Sequence, residues 1–292
     1  MEDMRVFALG FFDGVHLGHQ ALLNACVKLA KELDAETAAI TFNQHPQALH
    51  SNQIPPLLST LQDRFSLLMQ CGMEHIYEFP VTKEVMSTEW CTFLDELMEN
   101  GGVGFVCGYD FRFGHKGEGN ADKLQQFCAE NNLPCIIVPE QTMDGARISS
   151  TRIRTLIEKG DMEGAKRLLG HFHRFTGKVV HGRGLGHTIG IPTANLCLPK
   201  ELVCPAFGVY ACKAVVDGNW FNAVTNIGTR PTVNGQGVTV EPWILDFDGD
   251  LYGKEITLEF HKFLRPEQKF NSLEELKAQI HKDASNTNEF LK

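Results

Sequence analysis

The sequence predicts two domains in series: a parallel α/β sheet with helices on both faces, then a small antiparallel barrel or sandwich covered by a helix. Three observations carry this. Up to about residue 139, short β-type apolar runs alternate with helical periodicity, as crossover units require. Past residue 175 only short strands remain, separated by turn signals. The length, 292 residues, is about twice that of an average domain.

In order, residues 5–10 read as the first strand and 18–33 as a helix, with Leu22, Leu23, Val27 and Ala30 on one face. A strand at 37–42, a helix at 61–71, strands at 76–79 and 103–108, a helix at 121–130 and a strand at 135–139 follow. Ligands of such sheets bind beyond the carboxyl ends of the strands. Ser149-Ser150-Thr151 reads as a cap leading into Ile153, Leu156 and Ile157, and Gly160-Asp161 breaks that helix before another at 162–169. This helical bridge is assigned to the first domain, which gives domains of residues 1–170 and 171–292. Strands then come at 176–181, 208–216, 220–227, 238–247 and 256–263, with Asp217-Gly218-Asn219 as a hairpin signal. A helix at 272–281, with Leu273, Leu276 and Ile280 on one side, is expected to cover them.

With 43% hydrophobic and 22% charged residues the chain is neither disordered, collagen-like nor a coiled coil. A net charge of −9 argues against a protein that coats nucleic-acid backbone. No two of the nine cysteines stand closer than seven residues, the spacing of Cys128 and Cys135, so no CxxC pair exists and reduced thiols are expected. Glu2 and Asp3 open the chain, Asp13 cuts its first apolar run, and no run approaches the roughly 20 residues of a membrane span. The expectation is a cytoplasmic protein with neither nucleic-acid nor membrane partners.

The turn Gly10-Phe11-Phe12-Asp13-Gly14-Val15-His16-Leu17-Gly18-His19 joins the first strand to the first helix, where helix amides and the positive dipole end meet anions. His16 and His19 are spaced to share one side, and Gly18 leaves room for a phosphate or ribose. Alone, the spacing fits a capped, partly exposed pair equally well. No third or fourth ligand stands near for zinc. The turn resembles the HxGH signature of the nucleotidyltransferase superfamily, and two later segments resemble other elements of the same family: Gly108–Gly114, with Asp110, and Ile148-Ser149-Ser150-Thr151-Arg152-Ile153-Arg154, which is similar to its ISSTxIR phosphate-binding element. The resemblance implies attack of a substrate phosphate on the α-phosphorus of ATP. His16 and His19 would be catalytic, Gly10, Phe11, Asp13, Gly18 and Asp110 would bind nucleotide, and Ser150, Thr151 and Arg154 would hold the leaving phosphates. Ser150 and Thr151 also read as a plain helix cap, and both roles use the same amides.

A second glycine-rich stretch, residues 182–195, holds Gly184, Gly186 and Gly190 and ends in Pro192-Thr193-Ala194-Asn195; it is not a Walker loop. It resembles the riboflavin kinase domain, a β-barrel closed by a helix, and the resemblance continues through Asn226–Thr232 and Glu241–Gly253. It implies Glu241 as the base for the riboflavin 5′-hydroxyl, Thr193 and Asn195 as organisers of ATP with Thr193 on Mg²⁺, and Arg265, Glu267 and Phe270 on the flavin. Three places depart from that pattern: His187, Pro242-Trp243 and His171-Phe172. Both halves together resemble the prokaryotic bifunctional riboflavin kinase/FAD synthetase family, with a Rossmann-like nucleotidyltransferase domain first. Its implied substrates are riboflavin, FMN and ATP, with Mg²⁺. A chain with one working half and a flavin-binding sensor without turnover are the rivals, separated by product formation and ATP consumption. A tRNA-ligase reading fails because no KMSKS-like loop is present.

Overall fold

A computed structural model describes residues 4–49, 53–181, 190–232 and 235–292, without the side chains of 230–232, 235 and 236. The chain forms two compact units: Met1–Pro55 with Arg64–Ser149, and Pro56–Asp63 with Ser150–Lys292.

The first unit is built on five parallel strands, β1 (Arg5–Leu9), β2 (Glu36–Phe42), β3 (His75–Phe79), β4 (Gly102–Gly108) and β5 (Cys135–Val138), in the order β3-β2-β1-β4-β5. A strand buried on both faces must be apolar throughout, and β1, Arg-Val-Phe-Ala-Leu, is so after its first residue. Val6 and Ala8 face helix α1 (Leu17–Leu33) and the part of α2 (Leu61–Gln70) that includes Leu67 and Leu68. Phe7 and Leu9 point the other way, toward Leu94 and Leu97 of α4 (Trp90–Glu99) and Leu124 and Phe127 of α5 (Ala121–Glu130). A short α3 (Lys83–Met86) precedes α4. Helix α4 is absent from the elements read in the sequence, although Trp90, Phe93, Leu94 and Leu97 recur at helical spacing. The strand order turns outward on either side of β1, so the crevice of this sheet opens beyond the carboxyl ends of β1 and its neighbours. A small hairpin, β6 (Thr142–Met143) and β7 (Ala146–Arg147), turns at Asp144 and Gly145, both at positive φ.

The second unit contains α6 (Ser150–Glu158) and α7 (Met162–Leu169), which bury Ile153, Ile157, Met162, Ala165, Leu168 and Leu169. Residues 150–169 thus group with the second unit, across the boundary drawn from the sequence. Six strands follow: β8 (His173–Lys178), β9 (Leu196–Cys197), β10 (Gly208–Val216), β11 (Asn219–Thr232), β12 (Gly235–Ile244) and β13 (Glu255–Arg265). They pair antiparallel in the order β8-β13-β10-β11-β12-β9. The sheet nearly closes into a barrel, because beyond β8 the Val180 N–H donates to the Asn195 carbonyl at 2.8 Å, just before β9. Asp217 and Gly218, both at positive φ, make the two-residue turn of the β10–β11 hairpin. Helix α8 (Leu273–Phe290) is capped by the Ser272 hydroxyl on the Glu275 N–H at 3.1 Å and runs nine residues past its expected end. Among the described residues no helix is long and apolar enough to cross a membrane. The nine cysteines are free.

Candidate active site

In the first unit, three residues of the turn after β1 take positive φ: Phe12 at 58°, Gly14 at 72° and the β-branched Val15 at 40°. Such backbone is costly and persists where the surroundings enforce it. His16 then caps α1, its Nδ1 accepting the His19 N–H at 3.3 Å. In its neutral form His16 therefore carries its proton on Nε2. The His19 ring stacks on His16, centroids 3.7 Å apart at 12°. Its pKa lies well below the ordinary value, chiefly through burial, then through the adjacent His16 and Arg64. A side chain at Gly18 would bring Cβ to 3.1 Å from the His16 ring, a close contact that the ring would have to yield to by a few tenths of an ångström.

A cavity of about 420 Å³ opens here, lined by Gly10, Phe11, His19 and Asp110 among others. Phe42, Phe79, Phe93, Phe111 and Phe113 also line it, and with Phe11 they run in tilted, edge-on and stacked contacts at 5.7 to 6.5 Å. Such a wall accepts a flat ring. Sequence reasoning passed over Phe42, Phe79 and Phe93; their only signal was the abundance of phenylalanine, 20 residues. Asp13 is buried within the turn. Asp110 is ion-paired with Arg147 of β7, whose guanidinium lies over Tyr109.

The remaining residues of the first motif set lie in the second unit. Ser150 and Thr151 open α6, and Arg154 donates from Nε to the Pro56 carbonyl.

The barrel carries a cavity of about 530 Å³ whose lining combines polar residues, Thr193, Asn226, Glu241 and Glu267, with apolar ones such as Trp243 and Phe270. Pairing of β11 with β12 sets Asn226 directly opposite Glu241. Glu267 reaches the Asn226 amide at 3.4 Å and crosses the space that a side chain at Gly228 would fill. Arg265 lines the same cavity, held by Asp283 of α8, with Nε and Nη2 donating to Oδ2 at 3.0 and 2.8 Å. Its guanidinium carbon lies 5.8 Å from the centre of the Phe270 ring. Trp243 meets His281 edge-on at 5.6 Å.

A smaller cavity of about 260 Å³ is lined by Thr193, Ala194, Pro242, Phe247 and Tyr252, so Thr193 borders both. The Ala194 N–H donates to the Pro242 carbonyl at 2.9 Å, which fixes this strand entry. Gly190 is at φ 74° and Asn195 is buried. Gly184, Gly186 and His187 lie outside the described residues.

A model of the FAD synthetase family matches residues 2–152, and one of the riboflavin kinase family matches residues 169–291. Two similar proteins are bifunctional riboflavin kinase/FMN adenylyltransferases. The one from Listeria monocytogenes is 37% identical over 98% of this chain and 92% of its own. The one from Bacillus subtilis is 37% identical over 95% and 90%. A solved structure, described as a macrolide-efflux protein from Streptococcus pneumoniae, matches with a TM-score of 0.87 and 30% identity over 98% of this chain and 94% of that one.

Proposed function

Since the chain belongs to the bifunctional riboflavin kinase/FMN adenylyltransferase family, we propose how its own residues divide the two reactions. The enzyme phosphorylates riboflavin with ATP to give FMN and ADP, then joins FMN to a second ATP to give FAD and pyrophosphate. We assign adenylylation to residues 1–170 and phosphorylation to residues 171–292.

In the first reaction site the FMN phosphate attacks the α-phosphorus of ATP in line. His16, His19 and the positive end of α1 meet the charge that develops on the phosphoryl oxygens. Gly10, Phe11, Asp13, Gly18 and Asp110 shape the nucleotide site, and the phenylalanine wall supports a flat ring beside it. Ser150, Thr151 and Arg154 hold the leaving phosphates. The observation that carries the assignment is the stacked His16–His19 pair, with His19 in the wall of an aromatic cavity beyond β1.

In the barrel, Glu241 takes the proton of the riboflavin 5′-hydroxyl, and Arg265, Glu267 and Phe270 line the flavin side. The smaller cavity across Thr193 suits the nucleotide, and we assign Gly190 and Asn195 to its phosphates, with Gly184 and Gly186 given the same role by motif alone. The donor set suits Mg²⁺. Among the described residues no group of three or more His, Cys, Asp or Glu forms a metal cage, whereas Mg²⁺ takes one or two protein oxygens beside phosphates and water. The Thr193 hydroxyl would hold it, and the bound ion would neutralise phosphate charge during transfer. We place the enzyme in the cytoplasm, where ATP is supplied and its thiols stay reduced.

Incubation of the protein with riboflavin and Mg-ATP, with flavins separated over time, tests the reading. FMN should rise and then convert to FAD. FMN without FAD would leave the kinase alone, and neither product would favour a flavin sensor.

A further inference from the structure

We infer that Arg64 is a positioning residue of the adenylyl-transfer site, a buried cation that fixes Phe11 and the turn behind it and, through them, His19. The inference rests on the assignment of the first cavity given above. Arg64, on α2, is fully buried and is the largest such side chain among the described residues. Its Nη1 donates to the Thr41 hydroxyl at 3.2 Å and to the Phe42 carbonyl at 2.8 Å. Thr41 in turn donates to the Phe11 carbonyl at 2.8 Å. The guanidinium carbon sits 4.4 Å from the centre of the Phe11 ring. Arg64 therefore holds the ring of Phe11 directly and its carbonyl through Thr41.

Stability does not account for an arginine at this position. Its Nε and Nη2 are buried with no hydrogen-bond partner, and no carboxylate of the described residues lies within ion-pair distance of it. Burial lowers its pKa, and Asp13 and Glu78 oppose this only through space. An apolar side chain of similar volume avoids that desolvation. What the guanidinium does hold is the residue whose ring walls the cavity and whose peptide enters the left-handed Phe12. The Phe12 ring then meets His19 edge-on at 5.4 Å. Arg64 is not itself part of the cavity wall, so it touches no bound ligand and acts by placing groups that do. Loss of placement lowers turnover and leaves ground-state binding nearly intact.

The test compares Arg64→Met and Arg64→Lys in the full chain with His19→Ala as reference. FAD formation from FMN, FMN formation from riboflavin and thermal unfolding are measured on each preparation. Arg64→Met should lower kcat for adenylylation about 10- to 100-fold, hold KM for FMN and ATP within about threefold, and melt no lower than the parent. Arg64→Lys, which keeps the charge without the planar fork, should fall between the two. A kcat within about twofold of the parent in Arg64→Met, or a loss that comes with a raised KM or a lowered melting temperature, overturns the inference. If Arg64→Met does not fold, a parent-like kcat in Arg64→Lys overturns it. If His19→Ala itself leaves FAD formation intact, the cavity assignment fails instead.

Discussion

The two candidate sites are assembled in opposite ways. At the first, the histidines and their turn come from ten consecutive residues at one strand-to-helix junction, strained at Phe12 and Val15 and backed by a buried cation. At the second, Thr193, Asn226, Glu241, Arg265 and Asp283 come from five separate stretches of chain, brought to one cavity by strand register, by the entry to β9 and by the covering helix. A junction site concentrates its chemistry in a motif, because helix amides and side chains converge within one turn. A barrel site spreads it, because antiparallel pairing joins residues distant in sequence. The first is consequently vulnerable to small changes in backbone, and the second to changes in pairing and in the covering helix.

If the sites are independent, each should be removable alone. The largest effect is expected from Glu241→Gln, which keeps shape but cannot take a proton and should lower FMN formation by ~10²–10⁴. FAD formation from supplied FMN should persist in that variant, as separation of the flavin products would show. His19→Ala should do the reverse, cutting FAD formation by at least about 10² while FMN still accumulates from riboflavin. A parallel fall of both activities in either folded variant would break the comparison.

The role of the covering helix is sharpened by Asp283→Asn, which deprives Arg265 of a buried carboxylate. Riboflavin affinity, followed by flavin fluorescence, should weaken about tenfold, the scale of a charge-assisted hydrogen bond. Unchanged affinity would detach α8 from flavin binding. The smallest contrast lies between two histidines, His19 in a cavity wall and His173 within the barrel. Burial, with a smaller push from His171, brings His173 down to about 4. Because the folded value is below the ordinary one, the neutral form is the one the fold stabilises. That contribution is complete above about pH 6.5 and lost as pH falls toward 4. The melting temperature of the parent should decline through that window, and His173→Phe should flatten the decline.

Local pattern in the sequence was enough for the alternation of the first unit, the Asp217-Gly218 hairpin and the His16–His19 turn, since periodicity, turn chemistry and capping act over a few residues. Glu241, Thr193 and Asn195 were reached through resemblance of motifs; composition alone leaves Glu241 an ordinary strand acid. What escaped did so for identifiable reasons. Arg64 sits among polar residues of a short helix and reads as a solvated face, and only packing against β2 and Phe11 buries it. The second half of α8 turns Asp283, Ala284 and Thr287 inward, a helical stripe that hydrophobic periodicity passes over because two of its three members are polar. Residues 150–169 carry a clear helical signal, but their grouping with the second unit depends on contacts distant in sequence. The sequence by itself determined most strands and helices of the first unit, the two-domain order and the make-up of the junction turn, because those are written in neighbouring residues. The tertiary structure alone decided the phenylalanine wall, the buried Arg64 and the pairing of Arg265 with Asp283, because each depends on which distant residues share one low-dielectric interior.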